Sequence, residues 1–136
     1  MSWIWLDGVE AFEKGKRVRA WKKWEAQFPA SYLIEFIAQA GGVLLGGESD
    51  FENDIVFIKI EKVEFFAQPE AGERVEIEVV PEGIRSEGGW FVGKIFQDGR
   101  KILEGKVLLM NVGRLKPETA GPITFPRQLI ESLKVS

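Results

Sequence analysis

Apolar and polar residues alternate along much of the chain, and the alternation predicts a sheet of several strands. The clearest case is Arg74–Val80, where Val75, Ile77 and Val79 alternate with charged residues, as in a strand with one buried face. Asp98–Gly99 is a strong signal for a two-residue hairpin turn between two such segments. The other predicted strands are Lys16–Trp24, Asp54–Phe66, Trp90–Gln97 and Arg100–Asn111, and Pro81–Gly89 is predicted to be a loop.

One long segment does not alternate, and its composition predicts a buried helix. In Tyr32–Leu45 the only polar side chains are Glu35 and Gln39, and a helix that is apolar all round is a buried one. Pro29 is well placed at the start of such a helix, and Gly46–Gly47 is well placed to end it. Because Glu35 and Gln39 are four residues apart, they share one face of the helix.

The order of these elements predicts an α+β fold in a single domain, residues 1–136. A curved antiparallel sheet wrapped around one long central helix accounts for every predicted element. A sheet with one helix to cover it leaves an edge or an apolar patch exposed, so we expect a homodimer or a higher homo-oligomer. From about residue 112 several prolines interrupt the pattern, and we expect an irregular C-terminal tail.

The composition narrows the possible chemistry. The chain has no cysteine and no histidine, so it lacks the usual ligands of a transition metal and the commonest general base. A net charge of −3 does not suggest nucleic acid as a partner, and the basic stretch in Lys14–Trp24 is interpreted as a solvated strand face. The acidic residues of 47–54 lack the spacing of a calcium loop, so no metal is predicted. No apolar run is long enough for a membrane span and no signal peptide is recognised, so we expect a cytoplasmic protein.

Four segments, in the same order, resemble one known family. IWLDGVEAFEKGKRVRAWKKW resembles the opening strand pair of the hotdog-fold 3-hydroxyacyl-acyl-carrier-protein dehydratases of the FabZ type. PASYLIEFIAQ resembles the helix of that family, and KIEKVEFFAQPEAGERVEIEV resembles its next strand–turn–strand unit. WFVGKIFQDGRKILEGKVLLM resembles the closing hairpin. The resemblance covers most of residues 3–111 and implies a hotdog fold.

The resemblance implies a site at a dimer interface that binds acyl groups as thioesters of acyl carrier protein, with acyl-CoA as the alternative and no cofactor. In the family, a histidine of one subunit and a helix glutamate of the other remove water from a 3-hydroxyacyl group. Glu35 matches this glutamate and Gln39 matches the helix glutamine, so both are catalytic candidates. Ala30 matches the glycine whose backbone N–H binds the thioester carbonyl, and Ser31 follows it. The residues expected to line an acyl pocket are Phe28, Pro29 and Tyr32.

The chain departs from the family at the histidine. That residue belongs to a His-Phe-Pro loop before the helix, and most of this loop is missing here, because only residues 25–28 separate Trp24 from Pro29. A general acid or base typically contributes about 10²–10⁴-fold to a rate. We therefore expect an acyl-thioester-binding relative that has no standard dehydratase activity alone.

Three alternatives stay open at the level of the sequence. Glu35 and the backbone N–H groups near Ala30 and Ser31 suit thioester hydrolysis, with the carboxylate as base or nucleophile and the N–H groups as an oxyanion hole. The chain could instead be the histidine-less subunit of a heteromeric dehydratase whose paralogue carries the histidine. In the third reading, Glu35 and Gln39 are buried polar groups that only satisfy hydrogen bonds.

Overall fold

The computed structural model describes residues 6–47, 55–85, 87–112 and 124–125. The predicted acidic loop at 48–54 and most of the predicted tail lie outside the described residues. In chain order the elements are β1 (Gly8–Glu13), β2 (Arg17–Lys23), α1 (Ser31–Gly47), β3 (Ile55–Phe65), β4 (Arg74–Arg85), β5 (Gly88–Gln97), β6 (Arg100–Asn111) and β7 (Thr124–Phe125).

The described strands form one antiparallel sheet in the order β1-β2-β4-β5-β6-β3-β7. The central part consists of two consecutive hairpins, β4–β5 and β5–β6, and β2 and β3 join it on opposite sides. The sheet is curved and one helix lies on it, as in the hotdog fold. The predicted fold class is therefore confirmed, and it places β3 near one edge of the sheet.

Helix α1 lies very close to the sheet because both the helix and the sheet have a glycine where they touch. A Cβ atom at Gly93 of β5 would lie 2.4 Å from Ile37 Cγ2, and one at Gly41 would lie 2.9 Å from Leu109 Cδ1. Such distances leave no room for a side chain, so the helix rests directly on the strands. Every residue from Phe36 to Gly47 is buried, which confirms the predicted buried helix. Glu35, its one carboxylate, directly precedes this buried stretch.

The turn between β5 and β6 confirms the predicted hairpin. Asp98 and Gly99 have φ angles of 52° and 75°. Two central residues with positive φ are typical of the type I′ turn, whose twist matches that of the flanking strands. The pairing of β5 with β6 extends from this turn to Gly88 and Met110.

The prediction of a loop at Pro81–Gly89 was wrong. Strand β4 continues through Pro81 to Arg85, and Pro81 lies opposite Phe91 of β5. Proline is excluded from central strands because it has no N–H to donate. On its other side, β4 pairs with β2 only from Arg74 to Val79. In the described part of the chain, Pro81 therefore lies where this side of β4 is an open edge, which tolerates proline.

Candidate functional site

Glu35 is the one acidic side chain of helix α1. It lies in the second turn and is half-buried, and burial raises the pKa of its carboxyl above the ordinary value. Among the described residues, none forms a hydrogen bond or an ion pair with this carboxylate. A carboxyl group that is partly desolvated and reachable, and has no partner among the described residues, is suited to exchange a proton with a bound substrate.

Gln39, one turn further along the helix, has a structural contact. It is 1% exposed, and its Oε1 accepts a hydrogen bond of 3.2 Å from the backbone N–H of Leu6. The next residue, Asp7, accepts a 2.7 Å hydrogen bond from the Lys23 N–H and lies 3.0 Å from Lys22 Nζ. These contacts fasten the N-terminal segment across α1. Sequence reasoning missed this role, although the Leu6–Asp7 step was part of the resemblance.

The start of α1 brings the two predicted backbone donors close to Glu35 along the chain. Tyr32 N–H donates to Pro29 O and Leu33 N–H donates to Ala30 O, each at 3.0 Å, so the first turn is tightly wound. Ala30 and Ser31 are exposed. The first N–H groups of a helix have no acceptor within it and carry partial positive charge. Ser31 precedes Glu35 by four residues, so donors and carboxylate lie on one side of the helix start.

The predicted acyl-pocket residues lie beside this helix start, and two of them contact each other. The rings of Phe28 and Tyr32 are 5.3 Å apart, and Phe28 is also 5.3 Å from Trp24 in an edge-to-face arrangement. Both side chains are partly buried and pack on the core, whereas Pro29 is exposed. An aromatic surface therefore flanks the first turn of α1.

The connection from β2 to α1 is short and well fixed. Trp24 N–H donates to Glu73 O at 2.9 Å, Gly72 N–H donates to Trp24 O at 2.8 Å, and Phe28 N–H donates to Glu25 O at 3.0 Å. These bonds hold the segment that would carry the family histidine. The chain contains no histidine at any position, so the second group of the family's catalytic pair is absent from it.

The charged residues of β2 are largely paired with neighbours. Arg19 Nη2 lies 2.9 Å from Glu76 Oε2, and Arg17 Nε lies 3.4 Å from Glu13 Oε2. Arg74 forms an ion pair with Glu76 and lies above the ring of Trp21. This pattern of alternating signs fits the interpretation of the basic stretch as a solvated strand face.

Neither a metal-binding cluster nor a membrane-spanning helix occurs in the part of the chain that the structure describes. No three acidic side chains in that part converge as a metal-binding group would require. None of the helices described is long and apolar enough to cross a bilayer.

Strand β3 has an exposed apolar surface that the sequence analysis did not single out. Five large apolar side chains in and just after this strand are between 40% and 51% exposed: Ile58, Ile60, Val63, Phe65 and Phe66. Scattered exposed apolar residues are ordinary, but a contiguous group on an edge strand marks an interaction site. The signal was present in DIVFIKIEKVEFF, where apolar residues recur between charged ones along the whole segment.

The chain is similar in sequence to known dehydratases and in fold to several solved structures. No protein-family profile matches the chain. The 3-hydroxyacyl-acyl-carrier-protein dehydratase FabZ of Nitratiruptor sp. is 30% identical over 131 residues, covering 80% of this chain and 87% of that protein.

Solved structures of similar fold include two with informative names. The dehydratase heterocomplex ApeI:P from Xenorhabdus doucetiae matches with a TM-score of 0.68 at 18% identity, over 79% of this chain and 82% of that one. A hypothetical thioesterase protein with coenzyme A from Streptococcus pneumoniae matches with a TM-score of 0.64 at 13% identity, over 79% and 87%. At these identities the structures support the fold, whereas the Nitratiruptor protein identifies the family. The chain belongs to the family of FabZ-type 3-hydroxyacyl-acyl-carrier-protein dehydratases.

Proposed function

We propose that the chain binds acyl thioesters, as acyl-carrier-protein or coenzyme A derivatives, and has no standard 3-hydroxyacyl dehydratase activity by itself. One observation carries the proposal. This chain keeps the helix carboxylate of the family, Glu35, which is half-buried and has no hydrogen-bond or ion-pair partner among the described residues, but the chain contains no histidine. Dehydration needs a base for the α-proton and an acid for the leaving hydroxyl. Glu35 is a single group, so it supplies the base or the acid but leaves the other role unfilled.

The remaining site residues take roles that follow from their places. The backbone N–H groups of Ala30 and Ser31 would donate to the thioester carbonyl oxygen, because they lie at the positive end of α1. Phe28, Pro29 and Tyr32 would contact the acyl chain through the aromatic surface beside them. Gln39 would fasten the N-terminal segment against α1 without contacting the ligand.

We place this site in a homodimer of single-domain subunits, residues 1–136, each with a tail from about 112, in the cytoplasm. The support for the dimer is β3, whose apolar side chains are exposed along the sheet edge. A second subunit would cover them and remove an edge that otherwise invites uncontrolled pairing.

A thioesterase is the second candidate, and the raised pKa of the Glu35 carboxyl favours it. In the general-base form, Glu35 takes a proton from water as the oxygen bonds to the thioester carbon. The C–S bond then breaks, and the proton passes from Glu35 to the departing sulfur, giving a carboxylic acid and a thiol. The N–H groups at the helix start would stabilise the oxyanion between the two steps. The fold-level likeness to a hypothetical thioesterase with coenzyme A agrees with this chemistry.

A heteromeric dehydratase is the third candidate. ApeI:P is a dehydratase heterocomplex of similar fold. In such an assembly this chain would contribute Glu35, and a different, histidine-bearing chain would contribute the other half of the site. This third candidate predicts that the chain copurifies with the histidine-bearing protein from its native source.

The test is incubation of the pure protein with 3-hydroxyacyl, trans-2-enoyl and saturated acyl thioesters, with products identified by mass spectrometry and binding by calorimetry. The proposal predicts saturable binding without gain or loss of water. Thiol release that falls about 10²–10⁴-fold in Glu35→Gln would establish the thioesterase. Glu25→Gln is the matched control, because Glu25 is exposed in the preceding loop. Absence of binding, or dehydration at rates typical of enzymes, would overturn the proposal.

A further inference from the structure

The start of helix α1 has three polar groups that find no partner among the described residues. The backbone N–H groups of Tyr32 and Leu33 are used in the first turn, where each donates a hydrogen bond of 3.0 Å to the residue three positions before it. The N–H groups of Ala30 and Ser31 have no such acceptor, and no described group donates to the Glu35 carboxylate. Two hydrogen-bond donors and one proton acceptor are therefore available at the same end of one helix.

The direction of helical side chains brings the carboxylate towards the two donors. Side chains of a helix tilt towards its N-terminus, so a long side chain covers the turn that precedes its own Cα. Glu35 follows Ser31 by one turn, which is about 5.4 Å along the axis. When a thioester carbonyl oxygen accepts hydrogen bonds from the Ala30 and Ser31 N–H groups, the acyl carbons next to that carbonyl come within reach of the Glu35 carboxylate.

The neighbours of Glu35 on the helix are apolar. Phe36 is fully buried, and Tyr32 and Ile34 are partly buried against the core. Ile34 covers the side of this turn that faces the sheet, because its Cδ1 lies 3.1 Å from where a Cβ atom at Gly105 would be. Such surroundings limit the access of water and favour a direct reaction of the carboxylate with the substrate. Burial also raises the pKa of the Glu35 carboxyl, which makes the ionised form a stronger proton acceptor.

A single carboxylate is sufficient for one class of reaction on an unsaturated acyl thioester. Dehydration needs one group for the proton and a second group for the leaving hydroxyl, and the chain has no histidine to be the second. Movement of a carbon–carbon double bond by one position needs only one group. The proton that the base removes from one carbon is returned by the same base to another carbon of the same chain.

We propose that the chain isomerises enoyl thioesters, with Glu35 moving a proton between the α and γ carbons of the acyl group. The inference rests on the thioester binding proposed above. With a 3-enoyl thioester, the Glu35 carboxylate takes the α-proton, and the electron pair of that C–H bond is delocalised onto the thioester oxygen. The N–H groups of Ala30 and Ser31 stabilise this oxyanion. The Glu35 carboxyl then gives the proton to the γ carbon, which leaves the double bond between the α and β carbons.

The reaction is balanced without any co-reactant. One C–H bond breaks and another forms, no water enters or leaves, and nothing is oxidised or reduced. The α and γ carbons lie on the same side of a planar intermediate, so one carboxylate serves both. The aromatic surface of Phe28 and Tyr32, whose rings are 5.3 Å apart, would contact the rest of this flat chain. Thioester hydrolysis differs, because it needs a water molecule placed at the carbonyl carbon.

The test uses the pure full-length chain and 3-hexenoyl coenzyme A. Isomerisation leaves the mass of the thioester unchanged, so the product is followed by the ultraviolet absorbance of the conjugated 2-enoyl thioester and identified by proton NMR. We expect turnover by the wild type, and a rate about 10²–10⁴-fold lower in Glu35→Gln, which has no proton acceptor at this position. Glu25→Gln, at an exposed position in the preceding loop, is the control and should keep the wild-type rate.

A second variant tests the backbone donors. Ser31→Pro removes one N–H group at the first residue of α1, a position where proline is favoured, so the helix should still form. Loss of one donor to the oxyanion should lower the turnover rate about 10²–10³-fold. Circular dichroism and urea denaturation establish that the variant is folded. An unchanged rate in folded Ser31→Pro would overturn the role given to this N–H group.

The remaining outcomes separate this inference from the thioester binding on which it rests. Saturable binding of hexanoyl coenzyme A in calorimetry, without conversion of the 3-hexenoyl thioester, would overturn the isomerase and leave the binding function intact. Absence of binding would overturn both. Release of free thiol faster than the conjugated product appears would assign Glu35 to hydrolysis and overturn the isomerase. Equal rates in the wild type and Glu35→Gln would overturn it as well.

Discussion

Replacement of Gln39 by leucine separates the two roles that this residue could have. In the structure its side-chain oxygen accepts the backbone N–H of Leu6 across 33 positions of sequence, and both residues are almost completely buried. Leucine is similar in size and apolar, so Gln39→Leu removes the acceptor with little change in packing. The N–H of Leu6 would remain in a place that water does not reach.

The expected magnitude follows from that unpaired donor. Leaving a buried N–H without an acceptor costs about 1–3 kcal/mol, more than the net value of the hydrogen bond itself. We therefore expect the free energy of unfolding to fall by about this amount in Gln39→Leu. Urea denaturation at one fixed protein concentration, followed by tryptophan fluorescence, measures it.

Gln97→Leu is the matched control, because Gln97 is the other buried glutamine among the described residues. Its Oε1 accepts the Glu70 N–H at 2.7 Å, and its Nε2 donates to Glu70 O at 2.9 Å and to Glu73 O at 3.4 Å. This variant should lose at least as much stability as Gln39→Leu. If Gln39 is an anchor, both folded variants bind acyl thioesters as the wild type does.

Two results would refute this reasoning. Unchanged stability in Gln39→Leu would show that the contact with Leu6 contributes nothing to the folded state. Full stability together with lost thioester affinity, seen in Gln39→Leu and not in Gln97→Leu, would place Gln39 on the ligand instead. The second result would restore the catalytic role that the resemblance implied.

Three further predictions concern the helix and its fastening. The raised pKa of Glu35 means that the folded protein holds this proton more tightly than the unfolded chain, so its contribution to stability falls as pH rises through and above the ordinary glutamate range. Glu35→Gln should therefore gain stability relative to the wild type between about pH 4 and pH 8; parallel thermal melts with no such divergence would contradict this. In Gly93→Ala the free energy of unfolding should fall by about 1–3 kcal/mol, because the new methyl group overpacks against Ile37. Urea denaturation of the double variant with Ile37→Ala should show a smaller loss than the sum of the two single losses. In Asp7→Ala the free energy of unfolding should fall by about 1 kcal/mol, because the hydrogen bond to the Lys23 N–H is removed. A loss no larger than that of Glu25→Ala, at an exposed position, would show that this hydrogen bond does not stabilise the fold.

The features that the sequence predicted are those set by local pattern. The helix was recognised because a long segment is apolar all round apart from Glu35 and Gln39. The β5–β6 hairpin was recognised because Asp98–Gly99 favours positive φ at both turn positions. Pro81 misled the prediction, since proline normally ends a strand. Its place was decided by where β2 stops pairing with β4, which local pattern does not contain.

The site was predicted less completely, because its contacts are distant in sequence. The role of Gln39 depends on Leu6, 33 residues away. The importance of β3 depends on its position in the strand order, since the same alternating sequence at the centre of a sheet would be fully covered by neighbours. Glu35 was identified from the chain itself, because a lone carboxylate in an apolar helix is conspicuous. Its function as a catalytic or binding group is still a prediction.

The missing histidine leads to one conclusion about chemistry. If the chain forms the homodimer proposed above, no subunit of that dimer can supply the histidine, since the chain has none. Dehydration would then require one carboxylate to act as both base and acid, whereas hydrolysis of a thioester needs a single base that returns the same proton to the thiol. Glu35, with a pKa raised by burial, is suited to the second task. A heteromeric dehydratase would instead need a different chain that carries the histidine and covers the exposed apolar side chains of β3.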